Sequence, residues 1–386
     1  MSDLKDRLGS LGPAERKALL ERFRGRSSSV SAADGRGRAR PAFSIFFFGD
    51  QGGDRGLYDL VLKCARFADD HGFEAIWTPE RHFHRFGGPY PNPSVLGAAI
   101  AAVTTRIQIR AGSVVAPLHH PLRLAEEWAV VDNISGGRTG IAFASGWQMQ
   151  DFVLSPDTFE QRRACVVERL DRFKRLWRGE SVPFAGPGGH VFDVVSHPRP
   201  VNPHPRIWLT AASNPETWIT AARNGCGVLT GLMEQNVGEL SQRIALYRDA
   251  LAAAGYGRHD RPVTVMAHAF VGRTDDHARS LVKKPLTDYL SSHLNLYERS
   301  LEGQGKKLDA KSLSDKDKAE LMELGFERYF SDSGLLGGVR KVEDMVRRLG
   351  SVGVDEIAAL VNFGLAEADV MEGLERLAAV RDGIAG

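Results

Sequence analysis

From Phe43 onward the chain alternates short apolar runs with longer segments whose apolar positions recur every three to four residues. The short runs predict strands at Phe43–Phe48, Ala75–Thr78, Ile107–Val115, Gly140–Ala144, Ile207–Ala211, Gly227–Thr230, Val263–Val271 and Glu356–Asn362. The periodic segments predict helices at Leu57–His71, Ser94–Val103, Pro121–Ile134, Thr158–Trp177, Pro215–Asn224, Val237–Ala253, His277–Arg299, Val339–Gly350 and Ala366–Val380. Continuous apolar strands alternating with amphipathic helices are the pattern of a parallel sheet covered by helices. Eight such strands predict an α/β fold of the (β/α)8 TIM-barrel type; an open doubly wound sheet is the alternative.

Two segments interrupt the alternation: the Gly/Pro/His-rich stretch 180–204, and the charged, mostly helical stretch 301–335. Both are expected to be insertions into a barrel domain spanning 41–386. Ahead of it, Leu4, Leu8, Leu11, Leu19, Leu20 and Phe23 mark a short amphipathic helical segment, broken at Gly12-Pro13. Residues 27–40 are rich in Ser, Gly and Arg and predict a flexible linker, so 1–40 is expected to be an N-terminal helical and linker segment. Asn92-Pro93 and Asn214-Pro215 each place a capping side chain before proline at the first helical position. The helix after Asn92 carries Gly97, Ala98, Ala99, Ala101 and Ala102. That small-residue face suits close packing within the helical shell or against a second copy in a homodimer.

Composition narrows the class. Hydrophobic residues make up 42% and charged residues 25% of 386 positions, an ordinary globular balance. The net charge of +2 argues against nucleic acid or an anionic membrane surface as partner. Residues 1–40 hold ten basic and five acidic side chains, so the rest of the chain is slightly acidic. Cys64, Cys165 and Cys226 are odd in number and lack CxxC spacing, which favours a reduced, cytoplasmic setting. No apolar run approaches the ~18 residues of a membrane span, and the N-terminus has no signal-peptide core.

The chemistry concentrates after the second strand. Pro79 stops it, and Glu80, Arg81, His82, His84 and Arg85 follow within seven residues. The C-terminal end of a barrel strand is where such an enzyme carries its active site, and histidines there can move protons near neutral pH. His82, with Arg81, Glu80 and His84, is therefore the candidate catalytic group. Metal binding through His82, His84, His119, His120 and His268 is a weaker reading, because HxH spacing alone is unspecific, and no metal is expected. Ala144-Ser145-Gly146-Trp147 ends the fourth strand in small residues that let a planar ligand approach; a plain tight turn explains it equally. Thr210 to Pro215 leads from strand to helix, where backbone N–H groups attract anions, though an ordinary N-cap accounts for that motif alone. Gly225–Gly231 forms or precedes a strand and so fails the dinucleotide fingerprint, and no Walker A sequence is present.

Taken together, the chain resembles the bacterial luciferase-like FMN-dependent monooxygenases over nearly all of 43–382. The resemblance rests on residues 43–49, on Trp77-Thr-Pro-Glu-Arg-His-Phe83, on the run from Ile109 to Arg138, and on Ala144–Trp147. Residues 327–337 and 354–358 are similar to the branch associated with nonribosomal peptide and polyketide biosynthesis. The resemblance implies a barrel that takes reduced FMN from a separate flavin reductase and uses O2, through a C4a-peroxyflavin, to oxidise a natural-product intermediate, free or held on a carrier protein. Carried over by position, Ser145, Gly146, Trp147, Arg163, Ser213 and Thr217 are the residues expected beside the FMN phosphate and ribityl chain. Ser113 to Val115, with Ser113 and Val114 as candidate cofactor-binding residues, would back the isoalloxazine, at a place where the family often has a cis peptide. Two departures stand out: Arg81 occupies the position of the luciferase catalytic histidine, and Ala144 that of its reactive cysteine. The rival readings are a deazaflavin-dependent hydride-transfer enzyme of the same fold, a metal-dependent barrel hydrolase, and a non-catalytic docking module.

Overall fold

A computed structural model of the chain describes residues 40–49, 56–84, 87–233, 235–303 and 315–383, with side chains between 293 and 321 left out of the description. The expectations for residues 1–39 lie outside this set. In chain order the elements are β1 (Ala42–Phe46), α1 (Asp59–Asp70), β2 (Ala75–Thr78), α2 (Pro93–Val103), β3 (Gln108–Val115), α3 (Pro121–Ser135), β4 (Thr139–Ala144) and α4 (Arg162–Arg178). They continue with β5 (Val182–Ala185), β6 (Val191–Val194), β7 (Arg206–Thr210), α5 (Pro215–Arg223), β8 (Gly227–Gly231), α6 (Val237–Ala253) and β9 (Val263–Val271). The last are α7 (Asp275–Gly303), α8 (Asp315–Arg328), β10 (Leu335–Gly337), α9 (Val339–Ser351), β11 (Glu356–Leu360) and α10 (Glu367–Gly383).

Eight strands close a parallel barrel in the order β1, β2, β3, β4, β7, β8, β9, β11 and back to β1. These are the eight strands expected from the apolar runs. The side chains sort by alternation, as the pleat requires. Phe43, Ile45, Ile76, Ile109, Ile141 and Leu209 face the helices and join the outer core. Phe46, Trp77, Ala142, Trp208, Leu229, Ala358 and Leu360 fill the inside.

The floor of the barrel is polar and closed. Both oxygens of the buried Glu356 accept from Arg110 Nη1, at 2.8 and 2.7 Å. The Arg110 guanidinium packs against both the Trp77 and Trp208 rings, 4.9 and 4.6 Å from their centroids, and the two rings meet edge-to-face 5.1 Å apart. Ser44 Oγ donates to Glu356 Oε1 at 2.5 Å, and Trp77 Nε1 donates to Ser44 Oγ at 3.0 Å. A buried pair survives only when its remaining lone pairs and protons are met in this way.

The helix starts follow the capping signals. Asn92 accepts from the N–H groups of Ser94 and Val95, Asn214 from that of Glu216, and Asn236 with Glu239 forms a reciprocal capping box. α3 ends at Gly136, whose φ of 67° is the left-handed cap that glycine adopts without a Cβ clash.

Three details depart from the expected pattern. The helix expected from Thr158 starts at Arg162, because 149–158 coils into two short 3-10 turns around Pro156. The 180–204 insertion contains an antiparallel hairpin, β5–β6, too short for its alternation to be read. The 301–335 insertion ends in β10, a three-residue strand that extends the sheet along Ala269–Val271.

Candidate active site

The ends of four neighbouring strands, β2, β3, β4 and β7, bring the candidate residues to one side of the barrel mouth. Pro79 ends β2, yet the Glu80 N–H still donates to Ser113 O at 3.0 Å, so Glu80 sits as one more rung against β3. Its carboxylate is buried and fully engaged. Oε1 accepts from His82 Nε2 at 2.8 Å and from His119 Nε2 at 2.6 Å; Oε2 accepts the Val115 N–H at 2.7 Å. Burial alone would raise the Glu80 carboxyl, but the hydrogen bonds from His119 and His82, the His119 charge and the Val115 N–H hold it below the usual carboxylate range. Burial opposes charge on His119 too, and the bond to Glu80 outweighs it, raising that imidazole above its ordinary value.

Arg81 points the other way along the mouth. Its N–H donates to Tyr90 O at 2.8 Å. Its buried guanidinium lies 3.6 Å from Asp151 Oδ2, and 5.8 and 5.4 Å from the ring centroids of Phe48 and Trp147. Burial pushes the Asp151 carboxyl up to about 6, against the pull of Arg81 and His82. So the carboxylate set beside Arg81 is Asp151, from the turn after β4, while Glu80 serves the histidines. His84 is half-buried on the same loop and is not among the Glu80 donors. His120, adjacent to His119, instead packs its ring 5.0 Å from that of Phe184.

The second half of the mouth is built of small and hydroxylic residues. β3 carries a cis peptide between Gly112 and Ser113, one step before the expected 113–115 stretch. Ser113 Oγ and Thr210 Oγ1 are 2.5 Å apart across the ends of β3 and β7. The Val114 side chain does not face the mouth: it is buried in the helix-facing core, leaving its main chain to contribute there. Ser145 and Gly146 are half-exposed, Trp147 is 36% exposed, and Arg163 and Ser213 are exposed, with Thr217 half-buried one turn into α5. Gly146 has a φ of 73°, and a Cβ there would meet Val115 Cγ1 at 2.8 Å and Phe152 at 3.0 Å. That position therefore has both the backbone and the space of glycine alone.

A buried aromatic wall stands on the opposite side. His268 on β9 is enclosed by the rings of Tyr289, Tyr329 and Phe363 at 4.6, 5.3 and 5.2 Å. Its Nε2 has no hydrogen-bond partner among the described residues, and burial pushes its pKa down to about 3. Tyr289 comes from α7 and Tyr329 from the turn after α8. Among the described residues no group of three His, Cys, Asp or Glu side chains is placed to hold a metal ion, and no helix is long and apolar enough to cross a membrane. The three cysteines are free and buried.

Hydroxyls near the ends of β3, β4 and β7, Arg163 in the first turn of α4 and the glycine at 146 are the residue types that a phosphate and a planar ring, as in a flavin mononucleotide, would need. Sequence reasoning missed the parts that are far apart in the chain. His119 reaches Glu80 across 39 positions, and Asp151 lies in a turn with no readable pattern. The His119-His120 pair was the signal available, though it did not say which ring turns inward.

Comparison with known proteins gives the family. The profile of the luciferase-like monooxygenases matches residues 42–356. The oxygenase component of the flavin-dependent trigonelline monooxygenase of Acinetobacter baylyi is 26% identical over 349 residues, covering 87% of this chain and 93% of that protein. The monooxygenase RslO1 from Streptomyces bottropensis superposes with a TM-score of 0.72 at 26% identity, covering 89% of this chain and all of its own. The fold alone is shared, at TM-scores of 0.68, with the oxygenating constituent of 3,6-diketocamphane monooxygenase from Pseudomonas putida in complex with FMN (18% identity, 88% of this chain and 96% of that one). The same holds for an F420-dependent secondary alcohol dehydrogenase (15% identity, 89% and 99%). The protein is an enzyme of the luciferase-like flavin-dependent monooxygenase family.

Proposed function

We propose that this chain is the oxygenase of a two-component system, taking reduced FMN from a separate flavin reductase and using O2 to oxidise a natural-product intermediate, free or tethered to a carrier protein. The observation that carries this reading is the juxtaposition of the phosphate-compatible edge of β4 and β7 with the buried His82–Glu80 pair and Arg81 at β2. The relative named as an oxygenase component supports a separate reductase, and the FMN complex of the same fold supports the cofactor. A cytoplasmic homodimer is part of the same proposal.

Ser145, Gly146, Trp147, Arg163, Ser213 and Thr217 are assigned to the phosphate and ribityl chain, with Arg163 supplying the bidentate fork that phosphate favours. Ser113 and the main chain at Val114 are assigned to the ring. Bound reduced FMN would supply the two electrons that send one oxygen atom of O2 to the substrate and the other to water. Around that reaction, His82 holds or accepts a proton, Arg81 meets developing negative charge from a water-poor site, and His84 is a second proton-transfer candidate. Trp147 covers the Arg81 guanidinium and helps exclude water.

Anaerobic titration with reduced FMN, reduced deazaflavin and reduced riboflavin tests the cofactor. Arg163→Ala is expected to weaken FMN about ten- to a hundredfold and riboflavin hardly at all, the range for one charge-assisted hydrogen bond. Supplying a reductase, NAD(P)H and isotopically labelled O2 to free and carrier-tethered substrates should then yield product with one labelled oxygen. Tighter binding of deazaflavin with no label incorporation favours the hydride-transfer alternative, and an absence of flavin binding favours a docking module.

A further inference from the structure

Glu80 Oε1 is shared by two imidazoles, and this arrangement assigns roles that the strand-end motif does not contain. His82 spends its Nε2 on Glu80, and among the described residues its Nδ1 makes no hydrogen bond. A carboxylate accepting from one ring nitrogen fixes the proton on that nitrogen and turns the other into the acceptor. His119 enters from the connection between β3 and α3, and its side chain keeps 24% of its surface in contact with solvent. Its main chain is itself fixed: His119 N–H donates to Ala116 O at 3.1 Å, and Arg169 of α4 donates to His119 O.

We propose that Glu80 and His119 are positioning residues for His82: Glu80 locks His82 as the Nε2–H tautomer, presenting Nδ1 as the base, and His119 sets how basic that nitrogen is. The assignment rests on the reading of His82 as the proton-transfer residue. In the step itself one proton leaves the substrate and binds His82 Nδ1; the Nε2 proton stays in place, and the imidazolium formed is met by the Glu80 carboxylate. A protonated His119 on the same oxygen competes for that negative charge and lowers the basicity of His82. A neutral His119 releases the charge and raises it. Among the described residues, the other charged and titratable groups facing the cluster are Arg81, Asp151, Tyr289 of α7, Glu127 of α3 and Arg169 of α4. Arg81 works against a second positive charge at His82, and Asp151 works for it.

The test needs no flavin. The full-length protein is labelled with 15N-histidine, and His82→Asn identifies the His82 signals. The wild type is expected to show protonated Nε2 and unprotonated Nδ1 on neutral His82. His119→Gln, which retains an N–H donor without the charge, should raise the His82 pKa by about half to one unit. Glu80→Gln should lower it by about one unit or more and populate the Nδ1–H tautomer. If Glu80→Gln does not fold, the wild-type tautomer and the His119→Gln titration decide. A neutral His82 carrying its proton on Nδ1, or a His82 pKa unmoved by His119→Gln, overturns the assignment. The kinetic arm separates this from the functional reading: in His119→Gln the acidic limb of kcat/KM should move with the His82 pKa. A correct tautomer with no FMN-dependent oxidation of any substrate would leave the positioning roles standing and sink the monooxygenase reading.

Discussion

At the scale of single residues, burial disfavours the charged form of both His119 and His268, and the partner each is offered decides the outcome. His119 is offered a carboxylate and gains basicity; His268 is offered only aromatic rings and loses it. The second case has a thermodynamic consequence. Its folded pKa of about 3 lies below the roughly 6.5 of an unfolded histidine, so the unfolded chain binds the proton more readily. The stability from neutral His268 is therefore complete above about pH 6.5 and is lost as pH falls toward 3, by up to about 1.4 kcal/mol per pH unit. Urea unfolding of the wild type and His268→Gln at a series of pH values should show the variant lacking that slope. Parallel curves would mean that the ring finds a proton partner the folded structure does not show. Of this chemistry, the contiguous Glu80-Arg81-His82 was legible in the sequence, because strand, proline and ionisable run are neighbours. Asp151 and the inward turn of His119 were not, because the partners that give them meaning arrive from other strand ends.

At the scale of elements, the barrel floor joins β1, β2, β3, β7 and β11 through the buried Arg110–Glu356 ion pair and the two tryptophan rings packed beside it. Removing one partner of a buried pair strands the other charge, at a cost of about 3–5 kcal/mol, whereas replacing both with apolar residues costs far less. Glu356→Leu and Arg110→Met should each lower stability by about that amount, and the two together by much less than the sum of the single changes. Guanidinium denaturation of the four proteins of this cycle measures the coupling; simple additivity would show that the pair does not act as a unit. Helix boundaries at this scale were readable where a cap is a local event, as at Asn92-Pro93 and Asn214-Pro215. The start of α4 was misplaced by four residues because apolar spacing continues through turns that are not α-helical.

At the scale of the molecule, the closed barrel runs from Ala42 to Leu360 and is sealed by the pairing of its first and last strands. A chain beginning at Arg40 is expected to unfold cooperatively with an unchanged thermal midpoint. A large fall in that midpoint would show that the N-terminal segment belongs to the domain and is not the linker its composition suggests. The sequence by itself determined the number and chain positions of the strands and predicted their parallel direction, because burial on both faces forces continuous apolar runs and each crossover demands a helix, while the closed order was decided by the pairing of β1 with β11. It also pointed to the strand ends that barrel closure gathers on one side, where the ionisable run after β2 falls. Only the tertiary structure decided which ionisable groups meet there: that Glu80 serves two histidines, that Asp151 stands by Arg81, and that Val114 turns away. Those contacts depend on strand register and on the direction of each loop, and residues separated by tens of positions carry no local pattern that records either.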